Sequence, residues 1–204
     1  DDSSAHSADD DDDAVPGPCD SEPEVETLPL VNDCRVDIAI EKQTNLQILW
    51  QFMDFPEDPC SREVMMTPLV LPLTDDDGDG KPSAGDQRAV LFNTFCGADY
   101  SNNGRLRALR GDGTALLWSV LDEAWATQPD SALAAGDING DGWPEIIAVH
   151  EDGYLMAFDR SGQSLWKSVT PVPTLGERGG AFIADLEGDG IVEIIFGNQI
   201  YDPQ

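Results

Sequence analysis

Positive charge is scarce in this chain: 11 lysines and arginines stand against 40 aspartates and glutamates, a formal net charge of −29 over 204 residues. Proteins that bind nucleic acid do so largely by setting a basic face against phosphates, so no nucleic-acid partner is expected. The same imbalance disfavours an anionic membrane surface. Long apolar runs are missing too, and membrane insertion is not expected. The chain begins at Asp1 without an initiator Met or a signal peptide, for which a removed leader and a truncation are both adequate reasons. Cysteine is confined to Cys19, Cys34, Cys60 and Cys96, with no CxxC spacing, so zinc-ribbon and thioredoxin-type motifs are unsupported. Histidine occurs only as His6 and His150. No long stretch carries the 3.6-residue periodicity of a helix.

Much of the acid is concentrated at the start. Asp9 to Asp13 are consecutive, Pro16, Pro18 and Pro23 follow, and the first 26 residues hold no Lys or Arg. A segment so poor in apolar residues cannot offset its ordering entropy, and residues 1–33 are read as a disordered acidic linker.

What the remainder has is a repeat. Three aspartate-rich loops recur: DDDGDGKPS from Asp75, DINGDGWPE from Asp137 and DLEGDGIVE from Asp185. A second marker, Leu-Trp, occurs at Leu49-Trp50, Leu117-Trp118 and Leu165-Trp166. Trp118 to Asp137 is 19 residues (137 − 118) and Trp166 to Asp185 is again 19 (185 − 166), whereas Trp50 to Asp75 is 25 (75 − 50), so the first copy carries an insertion. The unit is about 48 residues, the length of one propeller blade.

The cleanest copy reads SALAAGD, acidic loop, EIIAVHE, turn, YLMAFDR, turn, SLWKSV: four short strands in a meander. The second half recurs in GRLRALRGDGTALLWSV, where Leu106, Ala108, Gly113 and Trp118 match Leu155, Ala157, Gly162 and Trp166. The fold class is all-β. A four-stranded meander cannot bury both faces alone, and radial stacking of such units makes a β-propeller. Residues 34–204 are therefore read as a partial propeller of about two full blades plus pieces, with blades near 64–120, 131–169 and 179–204, the last incomplete. A closed ring takes about 4–8 blades. The chain is expected to be a fragment, or to need a partner over an open edge: the remaining blades of a longer chain, or a second copy of itself.

Oxygen ligands at loop positions 1, 3 and 5 with glycine at 6 suit a hard cation such as Ca²⁺. An EF-hand is excluded, because position 12 is Ala148 in the second loop and Phe196 in the third, and strands rather than helices follow. The last carboxylate instead comes at position 9. The expected ligands are Asp137, Asn139, Asp141 and Glu145 with the Trp143 carbonyl, and Asp185, Glu187, Asp189 and Glu193 with the Ile191 carbonyl. In the first loop position 9 is Ser83, and an inserted AGDQ precedes the strand. Asp86 returns just before that strand, so the first set is Asp75, Asp77, Asp79 and Asp86, with Ser83 the alternative closing residue. Metal-free Asp/Gly turns are the plain alternative for all three loops.

ALAAGDINGDGWPEIIAV and AFIADLEGDGIVEIIFG resemble the FG-GAP/VCBS-type repeats of integrin-α-like β-propellers, common in secreted bacterial proteins, and VMMTPLVLPLTDDDGDG is similar. The resemblance runs from about Val64 onward. It implies Ca²⁺ in hairpin loops on propeller blades, with roles from adhesion to carbohydrate binding. Glu187 at position 3 and the first-loop insertion depart from the pattern.

Calcium loops and an even number of cysteines suggest an oxidising, secreted or cell-surface setting. Three pairings are open: Cys19–Cys34 with Cys60–Cys96 is the local one, and free buried thiols are the alternative. Catalysis finds little support. His6 lies in the linker, His150 has no evident Cys, Ser or carboxylate partner, and carboxylates are too many to single out an acid/base pair. Arg110-Gly111-Asp112 falls where an Asp-Gly hairpin turn is expected and is read as a turn. The leading reading is an extracellular calcium-binding propeller segment that binds a protein or carbohydrate. One alternative is part of a calcium-dependent polysaccharide lyase, since some such propellers carry similar DxDGDG loops. Another is a quinoprotein-type propeller, because ALRGDGTALLW and AFDRSGQSLW resemble its tryptophan-docking repeats.

Overall fold

The structure is a computed structural model that describes residues 46–172 and 179–203. The acidic linker, His6, Cys19 and Cys34 fall outside the described residues. Residues 47–204 make one compact unit.

Among the described residues eleven strands form three antiparallel sheets. The first sheet is a meander of β1 (Leu69–Pro72), β2 (Arg88–Thr94), β3 (Arg105–Arg110) and β4 (Leu116–Ser119). A 3₁₀ turn, Glu123–Trp125, leads from it to the second, where β5 (Ala134–Gly136), β6 (Glu145–Val149), β7 (Leu155–Phe158) and β8 (Ser164–Lys167) repeat the order. The third is β9 (Phe182–Ala184), β10 (Glu193–Phe196) and β11 (Gln199–Tyr201). Each acidic loop links the first strand of its sheet to the second. The all-β reading holds, and the repeat is legible in the register: Ala108 faces Trp118 across β3–β4 as Ala157 faces Trp166 across β7–β8, and a bulge follows each alanine.

The core explains why EIIAV does not alternate. Side chains along a strand point to opposite faces, so a continuous apolar run fits a sheet covered on both. All five residues of β6 and all four of β7 are buried. Ile146, Ala148, Met156 and Phe158 join Leu91, Leu106 and Ala108 of the first sheet in one apolar cluster. Ile147, Val149, Leu155 and Ala157 join Ile194 and Phe196 of the third in another. The second sheet is thus the shared middle layer.

Tryptophans bolt the sheets together. The Trp118 ring lies on Gly162, in the turn between β7 and β8, so closely that a Cβ there would come within 2.7 Å of it, and its Nε1–H donates to the Arg160 carbonyl at 3.0 Å. Trp50 lies on Gly113, in the turn between β3 and β4, where a Cβ would come within 2.3 Å. Leu117-Trp118 and Leu165-Trp166 sit in strands as expected, whereas Leu49-Trp50 has no strand partner among the described residues.

Residues 52–63 are pinned to the first sheet by a device no repeat pattern announces. The Arg107 side chain on β3 is fully buried. Its guanidinium donates from Nη1 to Glu57 at 2.8 Å and to the Ser119 hydroxyl at 2.7 Å, and from Nε to the Thr94 hydroxyl at 2.8 Å. It also stacks on Phe55, 4.2 Å from the ring centroid. A disulfide joins Cys60 to Cys96 with Cα atoms 5.1 Å apart, one of the pairings the sequence left open. A buried cation costs little only while its partners stay. Glu57→Ala, which strips Arg107 of its carboxylate, should therefore destabilise the chain by roughly 3 kcal/mol in urea unfolding. Arg110→Ala, which opens the half-exposed Arg110–Asp112 pair, should cost under about 1 kcal/mol. Equal losses for the two variants would contradict the anchoring role of Arg107.

Candidate metal centres in the acidic loops

The three loops share one hydrogen-bond plan, set by their first aspartate. Asp137 Oδ1 accepts the amides of Gly140 at 2.7 Å and Asp141 at 3.1 Å, and its Oδ2 accepts Gly142 at 2.8 Å. Asp185 does the same with Gly188, Asp189 and Gly190 at 2.6, 3.1 and 2.8 Å. Asp75 accepts Gly78 at 2.8 Å and Gly80 at 3.1 Å. These short polar side chains mimic backbone turns. Gly140 and Gly142 at positions 4 and 6 take φ of 78° and 89°, a region other residues rarely enter. Position 5 caps position 7 in each loop: Asp79 accepts Lys81 at 3.0 Å, Asp141 accepts Trp143 at 2.8 Å and Asp189 accepts Ile191 at 2.9 Å.

Each loop is closed by a carboxylate at the start of the next strand. Glu145 Oε2 accepts the Ile138 amide at 3.0 Å and Glu193 Oε2 accepts the Leu186 amide at 2.9 Å. In the first loop Asp86 Oδ1 accepts the Asp76 amide at 2.8 Å. All three bonds reach loop position 2. Asp86 therefore takes the place of Glu145 and Glu193 despite the insertion. Ser83 turns instead to Asp77, donating its hydroxyl at 2.9 Å, while its amide donates to Asp86 Oδ2 at 2.7 Å.

The carboxylates converge to different degrees. One oxygen each from Asp75, Asp77 and Asp86 lies within 4.8 Å of the others, and Asp79 stands outside that group. In the second loop Asn139 Nδ2 donates to Glu145 Oε1 at 2.9 Å and to Asp141 Oδ2 at 3.2 Å. In the third, Glu187 is paired with Glu193, whose negative charge pushes the Glu187 carboxyl above its ordinary pKa. Burial pushes Glu145 up as well, with the charges of Asp141 and Asp137 adding to it. Burial would also raise Asp86, but the amides of Asp76, Ser83 and Asp77 outweigh it and hold that carboxyl below its usual range. Negative charge is thus gathered around hard oxygen donors, a donor set that fits a hard divalent cation such as Ca²⁺.

Arg160, not singled out in the sequence, braces this region. Its guanidinium lies 4.1 Å from the centroid of the Trp143 ring and donates to the Leu73 carbonyl at 3.2 Å. The turn between β7 and β8 is thereby fastened both to the second loop and to the base of the first. A lone arginine in a turn gives no sequence signal for this.

The other sequence candidates are structural. Arg110-Gly111-Asp112 closes on itself between β3 and β4: Asp112 accepts the Thr114 amide at 3.0 Å, and Gly111 donates to the Arg88 carbonyl at 2.7 Å. His150 is buried, and its Nδ1 accepts the Asp152 amide at 3.0 Å, which requires a neutral ring at that nitrogen. Burial, helped by Lys167, lowers its pKa, with Asp152 and Glu151 opposing. The folded state then binds fewer protons than the unfolded state. The stability owed to neutral His150 is present above about pH 6.5 and is lost as pH falls through the lowered folded value. Proton NMR should place its titration midpoint below about 6.5, and His150→Gln should flatten the stability loss on acidification. A midpoint above that value contradicts the buried neutral ring.

The model of the FG-GAP-like repeat family matches residues 137–196. No curated protein matches the chain. Among solved structures, the crystal structure of the V. cholerae biofilm matrix protein Bap1 is similar, with a TM-score of 0.65 and 30% identity. The match covers 76% of this chain and 26% of that one, so the chain corresponds to about a quarter of Bap1. The first loop lies before the matched residues yet has the same closing geometry as the two inside them. The chain carries an FG-GAP-like repeat at residues 137–196, spanning its second and third acidic loops.

Proposed function

We propose that the chain is an extracellular, calcium-stabilised segment of a β-propeller with an adhesive or binding role rather than a catalytic one. The observation that carries the reading is the common closure of the three loops, in which Asp86, Glu145 and Glu193 each clamp the amide of loop position 2. In the first loop this brings an oxygen of Asp86 within 4.8 Å of oxygens of Asp75 and Asp77. In the first loop Asp75, Asp77 and Asp86 would hold the ion, with Asp79 reaching it on closure. In the second Asp137, Asn139, Asp141 and Glu145 would do so, and in the third Asp185, Glu187, Asp189 and Glu193. The ion would supply charge neutralisation and cross-linking, fixing the first strand of each sheet to the second. The sheets, packed face to face, are read as blades near 64–120, 131–169 and 179–204. Similarity to a biofilm matrix protein and the Cys60–Cys96 disulfide support an extracellular adhesive setting, with a protein or carbohydrate as ligand. Among the described residues no helix is long and apolar enough to cross a membrane.

Binding to the folded state alone adds RT ln(1 + [L]/Kd) per site. With Kd on the order of 0.1–1 mM, several-millimolar Ca²⁺ contributes roughly 1–2 kcal/mol per site. The melting temperature should therefore rise on moving from chelator to calcium. Glu145→Gln, which keeps the shape and removes the closing charge, should lose one site by calorimetry. An unchanged melting temperature, or wild-type stoichiometry and affinity in Glu145→Gln, contradicts the assignment. Retention of the labelled chain on a bacterial biofilm should likewise fall when calcium is chelated, and equal retention in both conditions contradicts the adhesive role.

A further inference from the structure

Asparagine followed by glycine occurs twice in the chain, at Asn103-Gly104 and Asn139-Gly140. A glycine nitrogen has no side chain beside it, so it is the backbone nucleophile least hindered from reaching the carboxamide of the residue before it. The two pairs stand in opposite settings. Gly104 is buried and bridged to Thr127: its N–H donates to the Thr127 carbonyl at 2.9 Å and its carbonyl accepts the Thr127 amide at 3.0 Å. A Cβ on Gly104 would come within 2.9 Å of both Thr127 and Pro129. Its nitrogen cannot turn toward Asn103 without opening that bridge.

Asn139 and Gly140 are positions 3 and 4 of the second acidic loop. Both are exposed, and a Cβ on Gly140 would meet nothing within 4 Å. Each part of a ring closure is attended by a neighbour. The Gly140 N–H donates to Asp137 Oδ1 at 2.7 Å, a carboxylate able to take the proton, which the Thr127 carbonyl at Gly104 is not. Asn139 Oδ1 accepts the Asp141 amide at 2.8 Å, which polarises the carboxamide toward attack. The nitrogen that would leave, Asn139 Nδ2, donates to Glu145 at 2.9 Å and to Asp141 at 3.2 Å. Position 3 is already a carboxylate in the other two loops, as Asp77 and Glu187.

We propose that Asn139 is a deamidation site, at which the second loop converts its own carboxamide to a carboxylate. The Gly140 nitrogen bonds to Asn139 Cγ, the Cγ–Nδ2 bond breaks, and the Gly140 proton, passed through Asp137, leaves with Nδ2 as ammonia. Water then opens the five-membered succinimide. Opening at Cγ gives aspartate, and opening at the main-chain carbonyl gives isoaspartate. Water enters, ammonia leaves and nothing is oxidised or reduced. The aspartate form sets a new negative charge against Asp141 and Glu145, where Nδ2 had donated hydrogen bonds. It therefore folds less stably without a cation. On the calcium-loop reading above, on which this one consequence rests, it binds the ion more tightly, because affinity rises with the charge of the ligand set. The isoaspartate form adds a main-chain carbon ahead of Gly140, whose φ of 78° the loop uses, and so spoils the site.

Peptide mapping by mass spectrometry tests this on the full chain, incubated with chelator in mildly alkaline buffer, with aspartate and isoaspartate products separated by chromatography. In the folded protein Asn139 should convert on the order of tenfold faster than Asn103, because Gly104 reacts only after its bridge opens. In urea the two rates should converge, since neither setting survives unfolding. No conversion at Asn139, equal rates at the two sites in the folded chain, or a difference that persists in urea overturns the assignment. Asn139→Asp, made directly, should melt below the wild type in chelator; an unchanged melting temperature overturns the effect on the loop. Conversion at Asn139 in a chain whose melting temperature ignores calcium upholds the modification and removes the calcium reading instead.

Discussion

Ile146 and Ile147 are neighbours in sequence, point to opposite sides of one sheet, and are both fully buried. That double burial is the constraint on which the rest of the unit depends. A meander with one apolar face could stand against solvent on the other, but the second sheet cannot, and so it requires a sheet on either side. Fully burying side chains of this size contributes about 1.5–3 kcal/mol each. The short strands, β5 with three residues and β7 with four, have too few ladder bonds to persist without this packing.

Stacking in turn dictates what happens at the sheet ends. Where two sheets meet, their turns must not push apart, and glycines 113 and 162 leave room for tryptophans 50 and 118. The acidic loops lie at the same ends as these turns, between the first and second strands of each sheet. Arg160 ties them together, stacked on Trp143 and bonded to Leu73. The loops are held by their own aspartates through backbone amides. A cation there would relieve the repulsion around Glu145 and between Glu187 and Glu193.

Much of this was legible in the sequence because the signals are local. Loop spacing placed the candidate ligands, the apolar EIIAV marked a strand, and the Leu-Trp interval gave the length of the repeating unit. Asp86 could be chosen over Ser83 because it directly precedes a strand, as Glu145 and Glu193 begin theirs. Convergence from distant segments was not legible. RLRALR alternates as a strand with exposed arginines would, yet Arg107 is buried because Glu57, Thr94 and Ser119 meet there, with Glu57 50 residues away. The bracing by Arg160 spans 87 residues to Leu73 and leaves no local trace either. Nor was it legible which carboxylates of the first loop converge: Asp75, Asp77 and Asp86 come together without Asp79, a detail that loop spacing does not fix.

Hydrogen exchange of the backbone amides tests the central role of the middle sheet most directly. Amides that open only with the whole unit exchange at the rate set by global unfolding, and those near a free face exchange sooner through local opening. Residues 145–149 and 155–158 should be the most slowly exchanging stretch, with protection equal to the global unfolding free energy. The third sheet, open on the side of Phe182 and Ile200, should exchange faster in dilute solution. Equal protection of β10 and β6 in the monomer, or faster exchange of β6, would contradict the account.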